Sequence, residues 1–289
     1  MTSEKLIGLD ILTEIVETAI FSAHLTDTIP ISLILIGQSG SGKSKLIIAY
    51  NSTIGCHLTN DVTSMGLSDL MSADIAGKIR FLIVPDFNLV LSHRSSTTTL
   101  TVANLLSLLS EGTVRVDDGR IKKEVQHIPV GILTAMTRDL YSLYARKWAI
   151  LGLNRRFIPI YYEYSLETRM KIQDSIAAGK TTLLQLNGKK LALPSAPTDV
   201  DLAEYVSQLK AASDELATNI GWIPAYHRIK PKNSAAFSGK ALEFSPHLAL
   251  RSMARAHALR EKRKEVTPTD VAFIMKLLQF TRYDRPGVL

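Results

Sequence analysis

Eight consecutive residues, Gly37-Gln38-Ser39-Gly40-Ser41-Gly42-Lys43-Ser44, fit the spacing G-x-x-x-x-G-K-[ST]. These residue types at this spacing hold phosphate. Glycines let backbone N–H groups point into one concavity, the lysine reaches the terminal phosphates, and the serine hydroxyl ligates Mg²⁺. The expected contacts are therefore Gly37 to Gly42 as the cradle, Lys43 on the β and γ phosphates, and Ser44 on the metal. The four fixed positions arise by chance in a chain of this length only about once in a hundred sequences. A glycine-rich surface turn followed by a solvated lysine is the bland alternative, and the apolar run just before Gly37 argues against it.

A metal held this way needs a nearby acid. Arg80-Phe-Leu-Ile-Val-Pro-Asp86-Phe87 offers an apolar run ending in one carboxylate, a Walker B candidate. Counting four apolar residues from Phe81 puts Pro85 at the metal position and Asp86 at the water-polarising position. Shifting by one makes Asp86 the metal residue and leaves Phe87 where the base belongs. In both registers one acid of the usual pair is missing. No N-K-x-D guanine-reading element follows the loop, which favours ATP over GTP.

These residues need a rigid sheet to hold them. Ile31 to Ile36 is a nearly continuous apolar run, as in a parallel strand covered on both faces, and the glycine loop leaves it directly. Further strands are expected at 79–84, 129–134 and 158–164, separated by segments long enough for crossovers. Ile11, Leu12, Ile15, Val16, Ala19 and Ile20 form the apolar face of a helix before the loop. Beyond Leu166 the strand pattern mostly stops, so an α/β domain over 1–165 and a linker with helical lid over 166–289 are expected. A helix falls near 200–217, between connecting stretches at 188–197 and 230–239. In the lid, Thr267-Pro268-Thr269-Asp270 is a helix start, with an N-cap, a first-turn proline and a carboxylate at the third position.

The 289 residues suffice for a substantial core. One cysteine, Cys56, excludes an intrachain disulfide and any multi-cysteine metal site, which fits a reducing cytoplasmic setting. No run of 18 apolar residues occurs, so no membrane partner is expected. The net charge of +7 permits acidic partners such as nucleic acid, but 27 carboxylates are interspersed.

With the loop and the acidic strand end placed, the chain resembles the AAA+ ATPases, and among them the branch carrying a β-hairpin before the first sensor. That branch includes MoxR-type proteins, magnesium chelatase subunits and minichromosome-maintenance helicases. The stretch from Leu105 to Gly119 is similar to the branch's helix and hairpin. Val114 and Val116 alternate on one arm, Ile121 and Val125 on the other, and Asp118-Gly119 is a tight-turn signal. His127 to Thr137 resembles the sensor strand, with Thr137 at the sensor position and Thr134 as its neighbouring alternative. Leu153-Asn-Arg-Arg156-Phe157 resembles the L-x-x-R-F element, whose arginine enters a neighbour's ATP site; Arg156 is the expected finger, with Arg155 second. Phe244 to Ala258 resembles the lid helix. His247 stands where an arginine often follows Ser-Pro, which makes Arg251, one turn later, the second-sensor candidate. Leu6-Ile7-Gly8 resembles the short segment lying against adenine.

The resemblance implies a P-loop fold with a parallel five-stranded sheet and a helical lid, binding ATP with Mg²⁺ in a homo-oligomeric ring, expected to be a hexamer. It implies a motor or remodeller acting on DNA or on a protein, with an adaptor protein as a further partner. In this scheme Lys43, Asp86, Thr137 and Arg156 carry catalysis, Ser44 and Asp86 the metal, and Arg251 joins the nucleotide contacts. The incomplete acid pair keeps open a different class, a nucleotide-dependent assembly switch with little or no hydrolysis. On the hairpin, Arg115, Arg120, Lys122 and Lys123 suit DNA, whereas the acidic tip Asp117-Asp118 opposes it.

Overall fold

The computed structural model describes residues 7–60, 62–74, 77–117, 122–179, 189–202, 205–221 and 244–289. Leu6, the Asp118-Gly119 turn, Arg120, Ile121 and the 230–239 stretch lie outside the described residues, as do the side chains of Asp117 and Arg155.

The apolar run before the glycine loop is strand β1 (Ser32–Gly37), buried at every position. Around it stand β2 (Cys56–Leu58), β3 (Phe81–Val84), β6 (Gly131–Thr137), β7 (Phe157–Glu163) and the two-residue β8 (Gly287–Val288). All pair in parallel, in the order β2-β3-β6-β1-β7-β8. β1 is therefore central, with earlier and later strands on both sides, and its carboxyl end opens at the point where the strand order reverses. That is where open parallel sheets take their ligands.

The expected five-stranded sheet is corrected to six. β8 pairs with the end of β7 through Tyr162↔Gly287 and Glu163↔Val288. A Cβ on Gly287 would lie 2.2 Å from the Phe280 ring, so only glycine lets this segment close on the sheet. A second, separate sheet is the antiparallel pair β4 (Thr113–Asp117) and β5 (Lys122–Gln126), with Val114 opposite Val125.

Helices cover both faces. On one lie α3 (Ser64–Ala73), α4 (Asn88–Ser92), α5 (Ser95–Glu111) and α6 (Arg138–Ile150), packing Leu67, Val90, Leu105, Tyr141 and Trp148 against Ile34, Leu82 and Ile132. On the other lie α1 (Asp10–Ser22), α2 (Lys43–Ile48), α8 (Val206–Gly221), α9 (Phe244–Arg260) and α10 (Pro268–Leu278). Their apolar side chains form one continuous cluster with Leu33, Leu35 and Ile160 of the sheet. The C-terminal helices thus share a core with the sheet through α1. By contrast α7 (Leu166–Ala177) buries none of its residues.

Two sequence features explain particular joints. The segment from Thr267 forms a capping box, in which the Thr267 side chain accepts from the third helical N–H and Asp270 accepts from the Thr267 N–H at 2.7 Å. At the end of α5, Gly112 adopts φ 70°, and a Cβ there would sit 2.0 Å from the His127 carbonyl oxygen. The chain can enter the hairpin there only without a side chain.

Candidate phosphate-binding site

The loop leaves β1 at Gly37 and enters α2 at Lys43, with Gly40 at φ 75° and Gly42 at φ 82°. Both angles lie in the left-handed region that costs glycine little. A Cβ on Gly40 would meet nothing within 4 Å, so this glycine borders open space. Lys43, 7% exposed, folds back over the loop. Its Nζ donates to the carbonyls of Gly37 (3.0 Å) and Gln38 (2.5 Å) and to Ser41 Oγ (3.2 Å). Burial lowers its pKa to about 8, against an upward pull from the Asp86 carboxylate. A partly desolvated cation held only by dipoles gains when an anion arrives, so the site fits phosphate.

Two tyrosines support the loop from below. Tyr162 and Tyr164 hydroxyls both donate to the Ser41 carbonyl, at 2.9 and 2.8 Å, and the Tyr162 oxygen also lies 3.1 Å from Ser41 Oγ. Burial pushes the Tyr164 hydroxyl up to about 12, so it remains a donor at physiological pH. Sequence reasoning passed over both. Their i, i+2 spacing at the end of a strand was the available signal, because it sends both rings to one face.

Ser44 Oγ donates to the Pro85 carbonyl at 3.0 Å, which joins the start of α2 to the end of β3. Asp86 follows, exposed, its Oδ1 accepting from the Asn88 N–H at 2.9 Å. Phe87 turns the other way. It is fully buried, edge-on to Trp148 and Phe157 at centroid distances of 5.3 and 5.8 Å. Asp86 is therefore the one acid this strand end presents, next to the Pro85 carbonyl that Ser44 holds. Among the described residues no group of three His, Cys, Asp or Glu side chains could hold a metal.

Thr137 ends β6 directly opposite Gly37. Its hydroxyl accepts from the Leu140 N–H at 3.4 Å, as the N-cap of α6, and keeps its proton free to donate. Thr134 lies deeper and is fully buried, with its hydroxyl spent on the Val84 carbonyl at 2.7 Å. Beyond Thr137, Arg138 crosses the exit of β1 to Glu163 at 2.5 Å and donates to the Tyr283 carbonyl at 2.9 Å. The ion pair and its tyrosine partner had no sequence signal, since they join residues far apart in the chain.

Arg156 is exposed and immediately precedes Phe157, which pairs with Ser32 at the opposite end of β1. Five residues of strand, about 16 Å, separate that end from Gly37. The chain's own phosphate loop and its own Arg156 thus stand on opposite edges of the sheet. Arg251 lies on the Arg156 side as well. It lines a groove of about 500 Å³ together with Arg156, Arg255, Asp27, Ile29 and Leu216, away from its own chain's phosphate loop. Which edge receives α9 depends on how the C-terminal helices pack on α1, and motif spacing does not encode that. Arg255 is occupied by the Val200 carbonyl and Asp199, both at 2.8 Å. Leu9, next to Ile7 and Gly8, does reach the loop, since a Cβ on Gly42 would sit 3.2 Å from its Cδ1.

Two of the hairpin's positive charges are paired within the chain: Arg115 lies 3.3 Å from Glu124, and Lys123 lies 2.9 Å from Asp69 of α3. Among the described residues no helix is long and apolar enough to cross a membrane. No protein-family model matches the chain, and no curated protein sequence matches it.

Proposed function

We propose that this chain binds ATP with Mg²⁺ at Gly37 to Ser44 and hydrolyses it where two copies meet head to tail, each completing the other's site with Arg156. The observation that carries the reading is Lys43, folded into a glycine loop at the carboxyl edge of the central strand and bonded only to oxygens that a phosphate would replace. In this reading the loop amides and Lys43 hold the β and γ phosphates. Ser44 and Asp86 would hold Mg²⁺, which neutralises charge on the phosphate oxygens. Thr137 orients a water molecule at the end of β6. Arg156 of one copy meets the developing charge in the next, which makes turnover depend on assembly.

The second reading, a nucleotide-dependent assembly switch, has its own support in Phe87. The position after Asp86 is committed to an aromatic core, so no second carboxylate stands at that strand end to polarise water. Loss of such a group commonly lowers a rate a hundredfold or more without touching binding. A ring acting on a protein draws support from the pairing of Arg115 and Lys123 within the chain, which a DNA phosphate would have to displace.

One measurement separates these readings: phosphate release at saturating Mg-ATP across protein concentration, with and without DNA. The ATPase reading expects turnover near one per second that rises with concentration and vanishes in Lys43→Ala and Arg156→Ala. Tight ATP binding with turnover a hundredfold lower selects the switch. Full turnover in both alanine variants overturns the assignment of the site.

A further inference from the structure

We infer that α7 is a docking arm for a second copy of this chain, inserting Leu166 and Met170 into the groove beside Arg156, with Asp174 meeting Arg251. The inference rests on the head-to-tail reading above and names the contact that would hold it.

α7 is anomalous within this fold. It is 12 residues long and buries none of them, although Leu166 is 75% exposed and Met170 55%. Helices of a packed domain hide an apolar stripe, and an isolated helix of this length is marginal in water. Leu166, Met170 and Asp174 recur every fourth residue and so lie along one side. Glu167 is paired with Lys171 at 2.6 Å, but Asp174 has no ion pair among the described residues. The helix starts at the phosphate-loop edge: Tyr164 just before it bonds Ser41, and a Cβ on Gly8 would sit 2.6 Å from Thr168 Cγ2.

The groove on the opposite edge has the complementary character. Its walls are Ile29, Leu216, Ile220 and Leu248, of which Ile29 is 47% and Leu248 59% exposed. Arg156 and Arg251 line it without meeting a carboxylate in an ion pair among the described residues, the neighbouring Arg255 is satisfied by Asp199, and Asp27 is the one acid of the lining. A trough with apolar walls and two guanidiniums that meet no carboxylate among the described residues suits the side of α7 that carries Leu166, Met170 and Asp174. Because arm and groove stand on opposite edges of one sheet, the contact joins different copies. Repetition of a heterologous contact of this kind builds a ring or a filament. It also carries Arg156 toward the neighbour's phosphate loop, since α7 begins beside that loop.

The test is disulfide trapping between two variants of the full chain that each add one cysteine to the native Cys56, Met170→Cys and Leu248→Cys, with and without Mg-ATP. The native Cys56 thiol, pushed up to about 12 by burial, does not compete at neutral pH. The mixture is expected to give a covalent dimer that neither variant gives alone. Dimers from Met170→Cys alone would mean α7 pairs with α7, and absence of cross-links in every sample would mean the arm is not an interface; either result overturns the inference. Met170→Asp supplies an independent check. It is expected to lower the assembled mass to that of one chain while leaving affinity for a fluorescent ATP analogue within about twofold, and wild-type assembly in this variant overturns docking. ATP binding is scored separately on Lys43→Ala, so loss of the nucleotide reading and loss of the docking reading give different results.

Discussion

Lys43 is the residue on which the chemistry turns, and its environment makes a prediction independent of turnover. Burial brings its pKa to about 8, whereas an arriving triphosphate stabilises the charged form and raises it again. As pH rises through this value the free protein loses the proton, and binding must take it up. Titration calorimetry in buffers of different ionisation enthalpy is expected to show uptake approaching one proton as pH rises from 7 to 9, with affinity falling over the same range. Lys43→Arg, which stays charged, is expected to bind more weakly and to take up none. Uptake that is unchanged in Lys43→Arg would place the proton elsewhere. The loop residues were legible because they act through local backbone geometry, which spacing encodes. The place of Arg251 was not, because it depends on which edge of the sheet receives α9, and the burial of Phe87 against Trp148 and Phe157 is a tertiary contact that spacing does not encode.

At the scale of elements, the joint between α9, α10 and α1 is a buried polar cluster. Asp270, wholly buried, accepts from both Arg263 guanidinium nitrogens at 2.6 and 2.7 Å and lies 2.6 Å from His257 Nδ1, whose other nitrogen faces Glu14 at 3.2 Å. Burial alone would raise the Asp270 carboxyl, but the hydrogen bonds from His257, Arg263 and Thr267 outweigh it and hold the group well below the ordinary carboxylate range. A depressed folded value contributes stability that is fully present above the unfolded value, about pH 4, and is lost as pH falls through the folded value. Asp270→Asn is expected to cost about 3 to 5 kcal/mol at pH 7, because it leaves Arg263 without its charge partner and weakens the hydrogen bond to His257. Urea unfolding at pH 7 and pH 3 checks both parts: the gap between wild type and variant should narrow at the lower pH. The capping half of this cluster was legible in Thr267-Pro268-Thr269-Asp270, since a cap is a four-residue signal. Its contacts with Arg263, His257 and Glu14 are tertiary and leave no spacing to read. β8 escaped for a different reason, being two residues with no periodicity.

The whole molecule behaves as one unit if its packing is taken literally. The sequence divides at 165 into a strand-rich part and a helical part, and the chain does pass there from β7 to α7. The apolar cluster does not divide. Leu12, Ile15 and Val16 of α1 are fully buried in the same core as Leu250, Met253 and Ile274 of the C-terminal helices and Leu33 and Leu35 of the sheet. Periodicity reports which face of a helix is apolar but not what covers it, so a shared core and two separate cores look alike in sequence. Removing α8 to α10 would bare the outer face of α1, several large side chains at about 1.5 to 3 kcal/mol each, comparable with the whole stability of a domain. Residues 1–165 alone are therefore expected to lose cooperative unfolding and to bind hydrophobic dyes. The full chain is expected to melt in a single calorimetric transition whose van't Hoff and calorimetric enthalpies agree, although chains of this size often show more than one. Two resolved transitions, or a 1–165 fragment that unfolds cooperatively, would show that the C-terminal helices fold apart from the sheet. In that case the groove beside Arg156, which is built from both parts, would have to form after each had folded.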